Sequence, residues 1–323
     1  MIKKAINRVS MIFRESFYLL REGWPLSYVI WNIIWWISWS IKLMSLNKKA
    51  DEKIAKHIER HLFNKYPDII EKYKTAEEST VGCQDFKIWV FWGQGVENMP
   101  AVVSACYKKM LENNVNVQFI DMNNIHEFVK IPQAVYEKLE KKRITFTSFS
   151  DILRHTLLAE QGGLWIDSTV WFPKKMPDIV KKNVFFSPHN INDGTNWCGY
   201  AIGSNKVGSI TFSFMRDMLT TVCIKEKIWP TYLFVGYLLD FAYKHLPATK
   251  AAMDATPQNN TRRFMLFALM NKPYNEKEYS ELIADNFIFK LSYKANYRLE
   301  CNGEKTYYAK LEAVTGNDNP KWY

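Results

Sequence analysis

The stretch Thr147–Phe172, TSFSDILRHTLLAEQGGLWIDSTVWF, predicts a helix that is followed at once by a strand. The helix has a capping-box-like start at Ser148, and its apolar residues recur at helical spacing. The pair Gly162–Gly163 supplies the positive φ with which helices commonly end. Leu164–Ile166 then form an apolar strand that delivers Asp167 to the edge of a sheet where ligands bind.

Two charged residues of the predicted helix accompany this strand-end carboxylate. Asp151 lies three residues before Arg154, so the two side chains share one side of the helix. A carboxylate and a guanidinium held together near Asp167 suit a phosphorylated, hydroxyl-rich ligand. A plain ion pair on the helix surface explains the same spacing equally well.

The residues before this stretch alternate between predicted strands and helices. Lys87–Trp92, KIWVFW, is an apolar run that ends at Gly93-Gln94-Gly95, which is typical of a strand entering a glycine loop. Val115–Asp121 predicts a second strand. Helices are predicted at Pro100–Asn113, Asn123–Val129 and Gln133–Lys141. This order indicates an α/β fold with a mostly parallel sheet, and the absence of GxGxxG and GxxxxGK[ST] disfavours nicotinamide and P-loop enzymes.

The residues after the stretch continue with predicted strands and helices. Strands are expected at Val184–Pro188 and Trp197–Ser204, with a further strand pair around Phe287–Leu291 and Thr306–Ala309. Helices are expected at Val207–Cys223 and Tyr232–His245.

The loop before Trp197 gathers candidate acceptor-side residues, namely His189, Asp193 and Asn196 together with Trp197 itself. Ordinary turn chemistry also accounts for the Asn, Asp and Gly of this loop.

The N-terminal segment carries most of the positive charge. Residues 1–75 contain 14 Lys and Arg against 7 Asp and Glu, whereas the whole chain has a net charge of +10. Between its cationic flanks, Gly23–Ile41 has no charged residue and contains five Trp. We predict a helix that lies in the membrane surface, which makes residues 1–75 a basic, membrane-associating extension and connector. The alternatives are a transmembrane helix, a signal peptide and an ordinary buried helix.

Composition excludes several other classes of protein. Apolar residues make up 47% and charged residues 24% of the 323 residues, so the chain is neither disordered nor collagen-like. Its five Cys lack CxxC spacing, which disfavours a zinc site and favours free thiols. We expect no nucleic-acid binding, because the basic residues are concentrated in the membrane-like segment.

The strings KIWVFWGQG and SDILRHTLLAEQGGLWIDSTVW resemble the core of bacterial capsular polysaccharide synthesis glycosyltransferases. These enzymes are relatives of glycosyltransferase family 32 and of the large clostridial glucosylating toxins. The resemblance covers about residues 85–260, and residues 150–172 are its most specific part. It implies a GT-A fold that binds a nucleotide sugar at the strand ends, in a domain that we expect to span residues 85–323.

The resemblance also assigns residues to the site. Asp151 and Arg154 of the S-D-x-x-R helix, with Asp167, are implied to act in catalysis and to contact the donor sugar and its phosphate. The implied donor site as a whole contains Trp89, Phe91, Trp92, Gly93, Asp151, Arg154, Gly162, Gly163, Trp165, Ile166, Asp167 and Ser168. In related enzymes a late polar loop closes over the diphosphate, which makes Gln258, Asn259, Arg262 and Arg263 candidates.

The chain departs from the family pattern at one position. Where the wider family has a second metal-binding Asp, this chain has Thr169, so Asp167 is the single carboxylate expected to bind Mn²⁺ or Mg²⁺. Metal dependence is therefore open, and Arg154 is expected to neutralise part of the diphosphate charge.

The resemblance implies transfer of a sugar, with retention, from a nucleotide diphosphate sugar, UDP-hexose being favoured. The expected acceptor is a lipid-linked or growing saccharide at the cytoplasmic face of the membrane. The alternative is a non-catalytic, membrane-attached module that binds nucleotide sugars.

Overall fold

The computed structural model describes residues 15–193 and 197–312. The chain divides into two compact units. The helical unit combines the described part of Met1–Glu77 with Ile131–Thr156 and Ile210–Lys250, and the α/β unit combines Glu78–Lys130 and the described parts of Leu157–Ser209 and Ala251–Tyr323.

The helices and strands are numbered in chain order. After a helical stretch at residues 15–21, the helices are α1 (Leu26–Ser40), α2 (Met44–Lys65), α3 (Pro67–Lys74), α4 (Ala101–Asn113), α5 (Gln133–Glu140), α6 (Phe146–Glu160), α7 (Ile179–Lys182), α8 (Ile210–Lys225), α9 (Phe234–His245), α10 (Pro247–Asp254), α11 (Met265–Leu269), α12 (Glu276–Asp285) and α13 (Tyr307–Glu312). The strands are β1 (Ile88–Phe91), β2 (Val117–Ile120), β3 (Gly163–Ile166), β4 (Val170–Trp171), β5 (Ala201–Ser204), β6 (Phe289–Lys290), β7 (Glu300–Cys301) and β8 (Glu304–Lys305).

A four-stranded sheet with the order β2-β1-β3-β5 forms the core of the α/β unit. Strand β1 runs parallel to both β2 and β3, and β5 closes the edge in the antiparallel direction. The predicted α/β fold with a mostly parallel sheet is thus confirmed. Because parallel strands end at the same edge, the register Trp89↔Trp165 places Gly93, after β1, and Asp167, after β3, at one edge of the sheet.

The junction between α6 and β3 depends on two glycines, as the sequence predicts. Gly162 and Gly163 have φ values of 68° and 93°, which L side chains rarely adopt. A Cβ at Gly163 would also lie 2.5 Å from the carbonyl oxygen of Lys87 and 2.8 Å from Nε1 of Trp89. The close approach of α6 and β3 to β1 therefore requires glycine at this position.

We expect Gly163→Ala to lower the free energy of unfolding by about 2–5 kcal/mol, because backbone strain and overpacking act together. Gly303→Ala is the matched control, since Gly303 has a φ of 81° but no atom within 4 Å of its Cβ position. In the control, the free energy of unfolding should fall only by the backbone strain, about 1–2 kcal/mol. Urea unfolding of both variants measures the difference, and equal losses would contradict the steric argument.

Three local predictions are wrong. Helix α6 begins at Phe146 rather than at Ser148, because the Thr145 hydroxyl accepts the hydrogen bond from the Ser148 backbone N–H. The second is Val184–Pro188, which forms only an isolated bridge at Phe186 and no strand. The Cys198 N–H donates to Ser187 Oγ at 2.6 Å and is therefore not part of a strand ladder.

The third concerns Thr306–Ala309, which is not a strand. Thr306 caps helix α13 by accepting the Ala309 N–H, and the strand β6, in the predicted range Phe287–Leu291, pairs with β4 instead.

The Trp-rich segment forms helix α1, which has one buried and one exposed face. Tyr28, Val29 and Trp35 are buried, and the Tyr28 hydroxyl donates to the Pro230 carbonyl oxygen at 3.0 Å. Ile37 and Trp39 are each 53% exposed. Among residues 15–193 and 197–312, no helix has both the length and the apolar character needed to cross a membrane.

A buried carboxylate fastens the N-terminal helices within the helical unit. Glu226, which follows α8, accepts hydrogen bonds from Trp24 Nε1 at 3.4 Å and from the Tyr66 hydroxyl at 2.8 Å, and it lies 2.5 Å from His61 Nε2. Burial alone raises the pKa of Glu226, but the hydrogen bond and charge of His61, followed by the Tyr66 hydrogen bond, outweigh it and leave that pKa below its ordinary value. The buried face of the Trp-rich segment is therefore an integral part of this unit.

Candidate functional site

The predicted Asp151–Arg154 pair is present in α6 and is buried. Arg154 Nη1 lies 3.4 Å from Asp151 Oδ1, and the two residues are only 5% and 4% exposed. A solvent-exposed ion pair is therefore excluded. Buried charges are costly to keep, which favours a specific task for both residues. The pair belongs to the helical unit, and its predicted convergence with Asp167 of the α/β unit stays a prediction.

The neighbouring His155 supplies no charge to this pair at neutral pH. Its Nδ1 donates to the Asp151 carbonyl oxygen at 2.7 Å, because that oxygen can only accept. Burial and then the charge of Arg154 lower the pKa of His155 to about 3, against the smaller opposing effect of that hydrogen bond. The guanidinium of Arg154 is therefore the cation that this turn of α6 presents.

Asp167 stands at the carboxyl end of β3, as the sequence predicts. Its backbone N–H donates to the Tyr200 carbonyl oxygen at 2.8 Å, which continues the β3–β5 pairing by one residue. Its Oδ1 accepts from Trp165 Nε1 at 2.9 Å, and its Oδ2 lies 2.8 Å from Lys290 Nζ. The carboxylate is thus held by two donors on its two oxygens.

Lys290 is the residue of this cluster that the sequence analysis missed. Its Nζ also donates to Thr169 Oγ1 at 2.7 Å and lies 5.3 Å from the centroid of the Tyr200 ring. The backbone positions it, because Lys290 pairs with Val170 and its N–H donates to the Arg263 carbonyl oxygen. The sequence does contain a signal for Lys290, because it is the single charged residue in the apolar run Phe287–Leu291.

The residues predicted around the donor lie in two environments. Trp89 is buried and its Nε1 donates to the Gly162 carbonyl oxygen at 2.8 Å, so its indole supports the end of α6. Trp165, Ile166 and Ser168 are buried as well. The partly exposed members are Phe91, which is the last residue of β1, Trp92 and Gly93, which follow it, and Asp167.

The structure brings together the two loops that were predicted to bind acceptor and diphosphate. His189 and Asn259 exchange backbone hydrogen bonds at 3.3 and 2.9 Å, and Gln258 Oε1 accepts the Ile191 N–H at 3.2 Å. Arg263 Nη2 lies 2.8 Å from Asp193 Oδ2. These contacts join two loops that are about 70 residues apart in sequence.

The remaining described residues that were predicted in these two loops do not take part in those contacts. Arg262 binds the Glu281 carbonyl oxygen at 2.6 Å and Asp285 Oδ2 at 3.0 Å, so α12 holds its guanidinium. Trp197 is partly buried, whereas Asn196 lies outside the described residues. Asn260, which was not predicted, joins the loop to β6 by accepting the N–H groups of Phe287 and Ile288.

Comparison with known proteins connects this geometry to a family. The family model described as capsular polysaccharide synthesis protein matches residues 39–311. An uncharacterized glycosyltransferase of Acanthamoeba polyphaga mimivirus is 26% identical over 117 residues, which are 35% of this chain and 47% of that relative. The matched part of this chain thus spans about half the length of the curated relative. The family match includes α6, β3 and Lys290 and extends over most of the sequence. The chain therefore belongs to the capsular polysaccharide synthesis protein family.

Proposed function

We propose that this protein is a glycosyltransferase that moves a sugar from a nucleotide diphosphate sugar, with UDP-hexose favoured, to a lipid-linked or growing saccharide. The observation that carries the proposal is the family match, which spans both the buried Asp151–Arg154 pair and the strand-end Asp167. The glycosyltransferase name of the viral relative supports the same reaction class. The parallel sheet with polar residues at its carboxyl edge supports a GT-A type of donor site.

The proposed reaction breaks the bond between the anomeric carbon and the β-phosphate oxygen of the donor. The acceptor hydroxyl forms the new bond to that carbon, and its proton passes to the departing diphosphate. Retention requires attack from the face that the diphosphate leaves. Stabilising the charge of the leaving group is then the main task of the protein, and Arg154 and the Asp167 cluster are the groups we assign to donor binding.

Binding of the donor is the first test of this proposal. A panel of nucleotide sugars is compared by thermal shift with the full chain, because a ligand at 100 times its Kd stabilises the folded state by about 2.7 kcal/mol. We expect one class of nucleotide sugar to raise Tm above the value in free sugar and free phosphate. A Tm that no nucleotide or nucleotide sugar changes would contradict a donor site.

A non-catalytic binding module is the second candidate, and Thr169 in the place of a second carboxylate favours it. Such a module would show the same thermal shift but would release no nucleoside diphosphate. Turnover therefore separates the two candidates.

We further propose that α1 attaches the protein to an anionic membrane surface on the cytoplasmic side. Leu26, Ile30 and Ile37 share one exposed face of the helix because they are spaced by four and seven residues. The exposed apolar residues of this region, which we call the apolar ridge, are Leu26, Ile30, Ile37, Trp39, Ile41, Leu43 and Met44. Exposed cations that would attract acidic lipids accompany the ridge, namely Lys42, Lys48 and Lys49.

We expect Ile37→Asp with Trp39→Asp to weaken binding to vesicles of anionic phospholipid by 10-fold or more, measured by co-sedimentation. A deletion of this segment would also remove buried side chains such as Trp24 and Tyr28, each of which stabilises the fold by about 1.5–3 kcal/mol. Substitution of exposed residues avoids that loss of stability. Val115→Asp, at an exposed position of the α/β unit, is the control and should bind like the unmodified protein. Equal binding by all three proteins would contradict the proposed surface.

A further inference from the structure

The ammonium group of Lys290 occupies the position between Asp167 and Thr169. Its Nζ lies 2.8 Å from Asp167 Oδ2 and 2.7 Å from Thr169 Oγ1, the two side chains at the first and third positions of the Asp-Ser-Thr sequence. Strand β6 fixes the lysine, since its neighbours Phe289 and Leu291 are buried. The contacts therefore result from strand pairing rather than from a long side chain on a mobile surface.

The charge of this cluster matches that of a two-carboxylate metal site. Two carboxylates with one divalent cation have a net charge of zero, and so does Asp167 with the ammonium of Lys290. Thr169 removes one negative charge relative to a second Asp, and Lys290 supplies one positive charge where a metal would supply two. An ammonium has three N–H donors, and its hydrogen bonds to described side chains use two of them.

The residues of this cluster do not fit a divalent cation. Mn²⁺ and Mg²⁺ prefer several hard, anionic oxygens, but Asp167 is the single carboxylate here and both of its oxygens already accept hydrogen bonds. A metal at this position would also meet the positive charge of Lys290. Within residues 15–193 and 197–312, no group of three or more His, Cys, Asp or Glu side chains is arranged to hold a metal ion.

We propose that this protein transfers sugar without a divalent cation, and that Lys290 supplies the positive charge that stabilises the leaving diphosphate. The inference rests on the proposed glycosyltransferase function. Asp167 acts here through Lys290, because it aims the ammonium group, while the Tyr200 ring at 5.3 Å from Nζ adds a favourable contact with the cation. When the bond to the anomeric carbon breaks, the negative charge that forms on the diphosphate oxygen meets an ammonium that is already in place.

The first test uses the unmodified protein and needs no variant. Release of nucleoside diphosphate from the donor is measured after treatment with EDTA, and again with added Mn²⁺ or Mg²⁺. We expect the two rates to agree within about twofold. A rate that EDTA abolishes and that Mn²⁺ restores would overturn the proposal.

The second test removes the charge at Lys290. Lys290→Met keeps the length of the side chain and should lower kcat about 100-fold, as removal of one electrostatic donor does in other enzymes, and Mn²⁺ should not restore it. Lys290→Arg keeps the charge and should retain more activity than Lys290→Met. Lys272→Met, at an exposed position of the same unit, is the control and should turn over at the normal rate.

A double variant tests whether a metal ion can take the place of the Lys290 ammonium. Thr169→Asp with Lys290→Gln installs a second carboxylate and removes the ammonium, so its activity should rise at least 10-fold on addition of Mn²⁺. Unfolding curves of all variants establish that each is folded. Normal turnover by folded Lys290→Met would overturn the role of Lys290.

The outcomes separate this inference from the proposed function. Turnover that requires Mn²⁺ leaves the glycosyltransferase function intact and overturns only the role of Lys290. An unmodified protein that turns over no nucleotide sugar, with or without metal, overturns both.

Discussion

Replacement of Asp167 by Asn should lower the turnover of donor at least 100-fold. The amide is nearly isosteric with the carboxylate and can still accept from Trp165 Nε1, so packing at the end of β3 is preserved. The substitution removes the negative charge that lies 2.8 Å from Lys290 Nζ, so the ammonium group is no longer held in its position. Loss of one preorganised electrostatic group commonly costs 10²–10³ in kcat. The measurement is the rate of nucleoside diphosphate release at saturating donor.

The matched control is Asp85→Asn, because Asp85 is an exposed carboxylate that also pairs with a lysine, Lys87, in the same unit. It should leave turnover within about twofold of normal, since exposed ion pairs contribute little. A folded Asp167→Asn protein with undiminished turnover would contradict the assignment. An inverted anomer in the product would contradict retention and leave the fold and the site unaffected.

Replacement of Arg154 by Lys should lower activity about 100-fold although the charge is retained. Lysine lacks the planar fork of donors with which arginine binds phosphate and carboxylate, so the contacts assigned to the donor are lost. Arg154→Ala should lower activity further, because it also removes the guanidinium partner of the buried Asp151 carboxylate, and breaking a buried ion pair commonly costs about 3–5 kcal/mol of stability.

Kinetics together with unfolding curves distinguish the two effects of Arg154. Arg143→Lys, at an exposed position of the same unit, is the control and should change neither activity nor stability measurably. If Arg154→Lys and Arg154→Ala both turn over donor at the normal rate, Arg154 is a structural ion-pair residue and its assignment to the donor is wrong.

The parts of the fold that the sequence predicts well are those in which local signals agree. The helix, the Gly162–Gly163 stop and the strand β3 follow one another within about 20 residues, and helical spacing, positive φ and an apolar run all indicate the same structure. The same holds for β1, whose apolar run ends in a glycine loop. Parallel pairing of β1 with β2 and β3 then follows from the alternation of strands and helices.

The parts that could not be predicted depend on contacts between residues distant in sequence. Lys290 is 123 residues from Asp167, and strand pairing in the folded chain brings it to that carboxylate. The burial of Trp24 likewise depends on Glu226, which is 202 residues away. Local patterns contain no information on such partners, and for the same reason Arg262 was assigned to the diphosphate although α12 holds its side chain.

The central claim is that this chain breaks the bond between a sugar and a nucleotide, and one measurement tests it most directly. The nucleotide sugar that gives the largest thermal shift is incubated with the full chain and an excess of a saccharide acceptor, and ¹H NMR follows the anomeric proton of the donor. We predict that its signal decays as nucleoside diphosphate forms, and that Asp167→Asn slows the decay at least 100-fold. A donor that binds but stays intact with the folded protein, in the presence of acceptor or water, would contradict the claim and leave a binding module.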